Sequence, residues 1–262
     1  MAPKLCVPVT DIYLEVLSEL RPFVGALEFK NCKYDRVFDP GLDKLFESPL
    51  GIISDEWASW MEKEQVFKFM NKQKIVSYSC DLGPACRTYQ NLDNGKGVMR
   101  SFPSSPKLSQ DQILDLAAKR SLLIKQNFAG TIKYEILNYY PTGCYDHICE
   151  PLFIKKFLEA TGGELLLDLA HARISAENLH IPFMEYLDSI SCNKITEIHL
   201  SRPLIINGEW EDAHEKPLVE DIAMLKQALK KFKEAEYLVI EYYKDKNELV
   251  RIYKEVFENI NG

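Results

Sequence analysis

Short apolar runs rich in β-formers alternate with longer stretches of helical period along most of this chain, and few folds accept that pattern. The runs fall at residues 5–9, 26–29, 75–78, 130–137, 165–169, 195–200 and 238–242. Between them the spacing predicts helices over 55–70, 113–126, 151–161 and 217–233. Ser109 is placed to cap the second, and the third starts on Pro151 and stops before Gly162 and Gly163. Strands separated by helices pair in parallel through right-handed crossovers, and nearly continuous apolar strands suit a sheet covered on both faces. A closed barrel and an open doubly wound sheet both satisfy this. No GxGxxG follows the first run and no GxxxxGK[ST] occurs, which removes support from nucleotide-binding open sheets. The expectation is an α/β fold: a single (β/α)8 TIM-type barrel over residues 1–262, with an irregular loop at 84–109 where turn formers cluster.

A net charge of −7 with no basic cluster disfavours a nucleic-acid partner. No apolar run reaches the length of a membrane span, and the first residues meet acids before a signal-peptide core can form, so a cytoplasmic protein is expected. The seven cysteines are odd in number and form no CxxC pair, which fits reduced thiols.

Polar residues gather where the predicted strands end. Glu135 ends TIKYE, Asp168 ends ELLLD with His171 three residues on, Glu197 and His199 lie in TEIHL, and Glu241 ends YLVIE. Asp212 and His214 follow in the loop after the His199 strand. In a parallel barrel all strand C-termini face one rim, so these groups would meet although they are over 100 residues apart. Carboxylates crowded away from water repel, and a divalent cation relieves the repulsion; mixed Asp, Glu and His ligands suit Fe, Mn, Zn or Co, and the lack of Cys speaks against a structural zinc. Taken singly, an acid at a strand end is as often a cap or loop anchor, and a histidine more often a core residue. It is the set that carries the signal. His147 and His180 lack such a setting and read as surface or packing residues. Glu28, ending an early strand, reads as a supporting residue behind the ligands.

The series EILNYYP (135–141), ELLLDLAHARISA (164–176), EIHLS (197–201) and DAH (212–214) resembles the multinuclear non-heme iron-dependent oxidative enzymes that include the methanobactin-forming and thiaglutamate-forming barrels. The likeness covers roughly residues 75–245. It implies a (β/α)8 barrel holding two or three iron ions with dioxygen as co-substrate; for this chain two ions are expected, one to three being admissible. It further implies oxidation of a side chain in a ribosomal precursor peptide presented by a small partner protein. Carried over, the metal ligands are Glu135, Asp168, His171, His199, Asp212, His214 and Glu241, with Glu135, His199 and Glu241 nearest the chemistry and Glu135 bridging. Glu197, Arg173 and Arg202 would support the ligands or neutralise an acidic substrate group, and Arg173 could equally cap a helix.

There are departures. Ile136 follows the bridging glutamate where the family has Asn, and an early-strand His-Gly has no counterpart. SCDL at 79–82 puts Asp81 where a histidine ligand is usual, leaving a carboxylate that can still bind metal. SRP at 201–203 stands where a second histidine would follow. Fewer ions than three are therefore expected. Two other readings remain open: a xylose-isomerase-like metal-dependent sugar isomerase or hydrolase, and a degenerate barrel acting as a binding or scaffold protein.

Overall fold

The structure, a computed structural model, describes residues 2–34, 41–190 and 194–261. Its strands are β1 (Lys4–Pro8), β2 (Ala26–Phe29), β3 (Asp43–Glu47), β4 (Ser77–Asp81), β5 (Tyr89–Asp93), β6 (Met99–Pro103), β7 (Thr131–Glu135), β8 (Glu164–Asp168), β9 (Ile195–Leu200), β10 (Arg202–Ile206), β11 (Glu209–Glu215) and β12 (Tyr237–Ile240). Eight of them close into one parallel barrel in the order β1-β12-β9-β8-β7-β4-β3-β2. The fold is the (β/α)8 TIM barrel that the alternation predicts.

Strand alternation sorts the side chains into two sets. Leu27, Phe46, Cys80, Tyr134, Leu167, Ile198 and Leu238 face outward into the large core shared with the helices. Phe157 of the helix Pro151–Thr161 meets Tyr134 edge to face at 5.1 Å there. Cys6, Ala26, Leu45, Tyr237 and Val239 form a separate small cluster of the opposite parity, the plug inside the barrel. Beside it the Lys133 ammonium and the Glu197 carboxylate pair at 2.7 Å, both almost wholly buried. Two residues further along each strand, the same inward parity delivers Glu28, Glu47, Asp81, Glu135, Asp168, His199 and Glu241 to the C-terminal end.

Local chemistry sets the element boundaries. The helix Gln110–Asn127 opens on a capping box: Ser109 accepts from the Gln112 amide, and the Gln112 side chain accepts from the Ser109 amide at 2.8 Å. The helix Pro151–Thr161 stops at Gly162, whose φ of 62° is the left-handed geometry glycine tolerates. Gly51 is there for another reason: a Cβ on it would lie 1.9 Å from the Gly83 carbonyl oxygen.

The structure corrects three expectations. Residues 84–109 are not an irregular loop throughout, since β5 and β6 pair within them as an antiparallel hairpin. The stretch 55–70 holds two helices, Asp55–Lys63 and Val66–Gln73, broken where Gln65 takes φ 51°. β3 is a barrel strand in a segment read as connection, because its sequence DKLFE is too short and too charged to stand out. A second hairpin, β10–β11, follows β9, and both hairpins rise over the C-terminal mouth. The six described cysteines are free thiols, and Cys192 lies outside the described residues. Among the described residues no helix is long and apolar enough to cross a membrane.

Candidate metal centre

The seven inward groups above the plug come from seven different strands, which is why no local motif announces them as a set. Within the layer, ligand atoms of Glu135, Asp168 and His199 all lie within 4.8 Å of one another and are buried. Ligand atoms of Glu28, Glu47 and His199 likewise lie within 4.8 Å of one another.

Hydrogen bonds decide which nitrogen each histidine offers. His199 is fully buried, and its Nε2 lies 3.1 Å from Glu197 Oε1. Glu197 is held in turn by Lys133, so Nε2 is the protonated nitrogen and Nδ1 carries the lone pair. That Nδ1 has no hydrogen-bond partner and faces the carboxylates of Glu241, Glu135 and Glu47 at 3.6, 3.8 and 3.8 Å. His171 differs, since both of its nitrogens are partnered: Nδ1 donates to the Ile136 carbonyl at 2.9 Å, and Nε2 lies 3.2 Å from Asp212 Oδ2. Asp168 caps its own helix, Leu169–Asn178, through Oδ1, which accepts from the His171 amide at 2.7 Å. Its Oδ2 is buried without a partner.

His214, on β11, lies 3.4 Å from both Asp212 Oδ2 and Glu241 Oε2. Its φ of 45° is left-handed, a conformation that costs a non-glycine residue about 1 kcal/mol or more and clusters at functional sites. Asp81 stands beside Glu135 in the β4–β7 register. Burial pushes its carboxyl up to about 6, against the pull of His171 and Lys30. Burial likewise pushes Glu135 well above the usual carboxylate range, with the Glu47 charge adding to it.

Opposite these groups lies a residue that sequence reasoning missed. The Lys30 ammonium sits 2.9 Å from Glu28 Oε2 and 2.7 Å from Glu241 Oε1, and it contacts Glu47 as well. Tyr243 donates to the same Glu241 Oε1 at 2.8 Å. The signal for Glu47 was available, an acid two positions past an inward apolar residue, but it required recognising β3.

The structure thus brings together Glu28, Asp81, Glu135, Asp168, His171, Glu197, His199, Asp212, His214 and Glu241. Arg173 and Arg202 are elsewhere. They line a cavity beside Trp210, where Arg173 stacks on the indole and reaches Asp221 at 3.5 Å. His147 is part-exposed beside Glu150, and His180 is exposed. A cavity of about 240 Å³ opens onto Asp81, His171 and Asp212, with Tyr89 and Ser101 of the first hairpin and Cys144 in its walls.

The donor set fits a cation. An unpartnered imidazole lone pair and an unpartnered carboxylate oxygen, both buried, would each carry a desolvation cost of about 1–3 kcal/mol if left as they stand. One ion coordinated by both relieves it.

Comparison with solved structures gives the fold the same assignment. The probable 3-DHS dehydratase AsbF from Bacillus anthracis matches with TM-score 0.63 at 11% identity, covering 100% of this chain and 99% of that one. D-allulose 3-epimerase from Methylomonas sp. matches with TM-score 0.62 at 10% identity, covering 99% and 95%. D-psicose 3-epimerase from Clostridium cellulolyticum H10 matches with TM-score 0.60 at 10% identity, covering 97% of each. At such identities the likeness concerns architecture only. Comparison with curated protein sequences finds no match. A family model for the RiPP (ribosomally synthesised and post-translationally modified peptide) precursor modification enzymes MbnB/TglH/ChrH matches residues 105–260. That span is more than half of the chain and contains Glu135, Asp168, His171, His199, Asp212, His214 and Glu241 at the geometry described. The chain belongs to the MbnB/TglH/ChrH family of RiPP precursor modification enzymes.

Proposed function

We propose that this protein is a metal-dependent oxidative enzyme that uses iron and dioxygen to modify one side chain of a ribosomally made precursor peptide. The observation that carries the reading is the meeting of Glu135, Asp168 and the free Nδ1 of His199 within 4.8 Å at the barrel mouth. Three mixed oxygen and nitrogen donors with further positions left open are what a catalytic, as opposed to a structural, metal requires. When bound, iron supplies the redox chemistry with dioxygen. Glu135, Asp168 and His199 would hold the ion, with Glu241 Oε2 beside them and Asp212, His171 and His214 on the open side.

The remaining work falls to the protein. Glu197 fixes the His199 tautomer, and the Ile136 carbonyl fixes that of His171. The plug of Cys6, Ala26, Leu45, Tyr237 and Val239 keeps water from reaching the site from below. The cavity between the hairpins admits a side chain from above and presents it to Asp81, His171 and Asp212.

The test is elemental analysis of anaerobically purified protein, followed by oxygen uptake with a precursor peptide. Iron bound in the wild type and lost by more than tenfold in His199→Ala, with oxygen consumed only when peptide is present, is the expected result. Zinc, manganese or magnesium with no oxygen uptake would replace this reading with an isomerase or hydrolase. A wild type without metal, binding peptide as well as His199→Ala does, would make it a binding protein.

A further inference from the structure

Two groups of carboxylates flank His199: Glu135 with Asp168, and Glu28 with Glu47, where Glu47 faces Nδ1 at 3.8 Å and Glu28 faces Nε2 at 3.4 Å. What separates them is Lys30. Its ammonium bridges Glu28, Glu47 and Glu241, acids delivered by β2, β3 and the end of β12. Glu28 is fully buried, with the Lys30 ammonium 2.9 Å from its Oε2 and the His199 Nε2 3.4 Å from its Oε1. Lys30 itself is only 21% exposed, so this is no solvated surface lysine reaching for the nearest acid.

Glu241 shows the division within one side chain. Its Oε1 accepts from both Lys30 and Tyr243, while its Oε2 turns to His199 and His214. One oxygen serves an ammonium, and the other is left for coordination. Both Glu28 oxygens lack a hydrogen bond, but Oε2 is in ion-pair contact with Lys30; on the Glu135 side Asp168 Oδ2 and His199 Nδ1 also lack one, and no lysine reaches them. A divalent ion placed among Glu28, Glu47 and Glu241 Oε1 would stand within a few ångströms of a fixed positive charge, and the two would repel. Glu28, Lys30 and Glu47 also lie before residue 105, outside the span that matches the family.

Building on the metal-centre reading above, we propose that Lys30 takes the place of a metal ion. Its ammonium is the resident cation of the Glu28–Glu47–Glu241 half, and metal enters only the half formed by Glu135, Asp168 and His199.

Counting ions tests this without any activity measurement. Metal-depleted protein is dialysed against Mn(II), and bound manganese is measured per chain for wild type, Lys30→Met and Glu47→Gln. Lys30→Met is expected to hold one ion more than the wild type, because the bared carboxylates then need a cation. Glu47→Gln, with Lys30 present, is expected to hold the same number as the wild type. An unchanged count in Lys30→Met overturns the proposal, as does the loss of an ion in Glu47→Gln. The second variant decides the matter if Lys30→Met does not fold. A wild type that binds no manganese and no iron would refute the metal-centre reading; a gain of one ion in Lys30→Met would still support the assignment of Lys30.

Discussion

A histidine offers a metal one nitrogen, and the partner of the other nitrogen chooses which. Here that partner is Glu197, which has no access to the mouth and is itself held by Lys133 inside the barrel. Replacing it acts at two levels. Glu197→Gln leaves the buried Lys133 ammonium without its counter-charge, and breaking such a pair costs about 3–5 kcal/mol. It also weakens the hold on the His199 ring, for which a loss of about 10–100-fold in metal affinity is typical. Denaturant titration of Glu197→Gln against the double variant Lys133→Met/Glu197→Gln separates the two effects. The double variant should recover much of the stability but none of the affinity. Equal affinity in wild type and Glu197→Gln would show that the carboxylate does not position the imidazole.

At the scale of elements, the two hairpins over the mouth are tied by one buried side chain, Arg100, and at their turns by Asn94 and Lys96 reaching Glu209 and Asn207 donating to the Lys96 carbonyl. Arg100 of β6 contacts Glu211, donates to the Trp210 carbonyl at 2.9 Å, and lies over the Tyr140 ring at 3.8 Å. Hydrogen bonds to charged groups of this kind are worth about 1.5–3 kcal/mol each, so Arg100→Ala should loosen the hairpins while leaving the barrel folded, with the turn contacts through Glu209 still in place. Limited proteolysis would then cut within residues 89–103 several-fold faster, with the main thermal transition nearly unmoved. If cleavage is unchanged, the hairpins are held by something other than this arginine. The hairpins also mark the limit of what the sequence disclosed. Ala26–Phe29 and Ile195–Leu200 were readable to the residue, because apolar strands covered on both faces contrast sharply with their flanks. β5 is exposed along its whole length and has no apolar pattern to read, and β3 begins with Asp43 and Lys44. The site followed the same rule. Residues on legible strands, from Glu135 to Glu241, were placed in advance. Glu47 was lost with its strand, and Lys30 was lost because nothing in a sequence reports that a lysine will fold back onto three distant acids.

Over the whole molecule, a centre assembled from seven strands joins binding to global stability. Unfolding scatters all of its ligands, so a metal that binds only the folded state stabilises the entire barrel. At a free concentration about 1,000 times the dissociation constant the gain is about 4 kcal/mol. For a chain of this size each kcal/mol moves the midpoint by about 2–4 °C. Adding iron(II) under anaerobic conditions to metal-depleted protein should therefore raise the melting temperature by about 10 °C. A midpoint that stays put at saturating metal would mean that the ion binds outside the barrel's ligand layer.

The plug of Tyr237, Val239 and their neighbours, with the Lys133–Glu197 pair beside it, makes the chamber a cul-de-sac. A polypeptide cannot be reeled through a vessel with a single opening. Each encounter must dip one side chain in and withdraw it by the way it came.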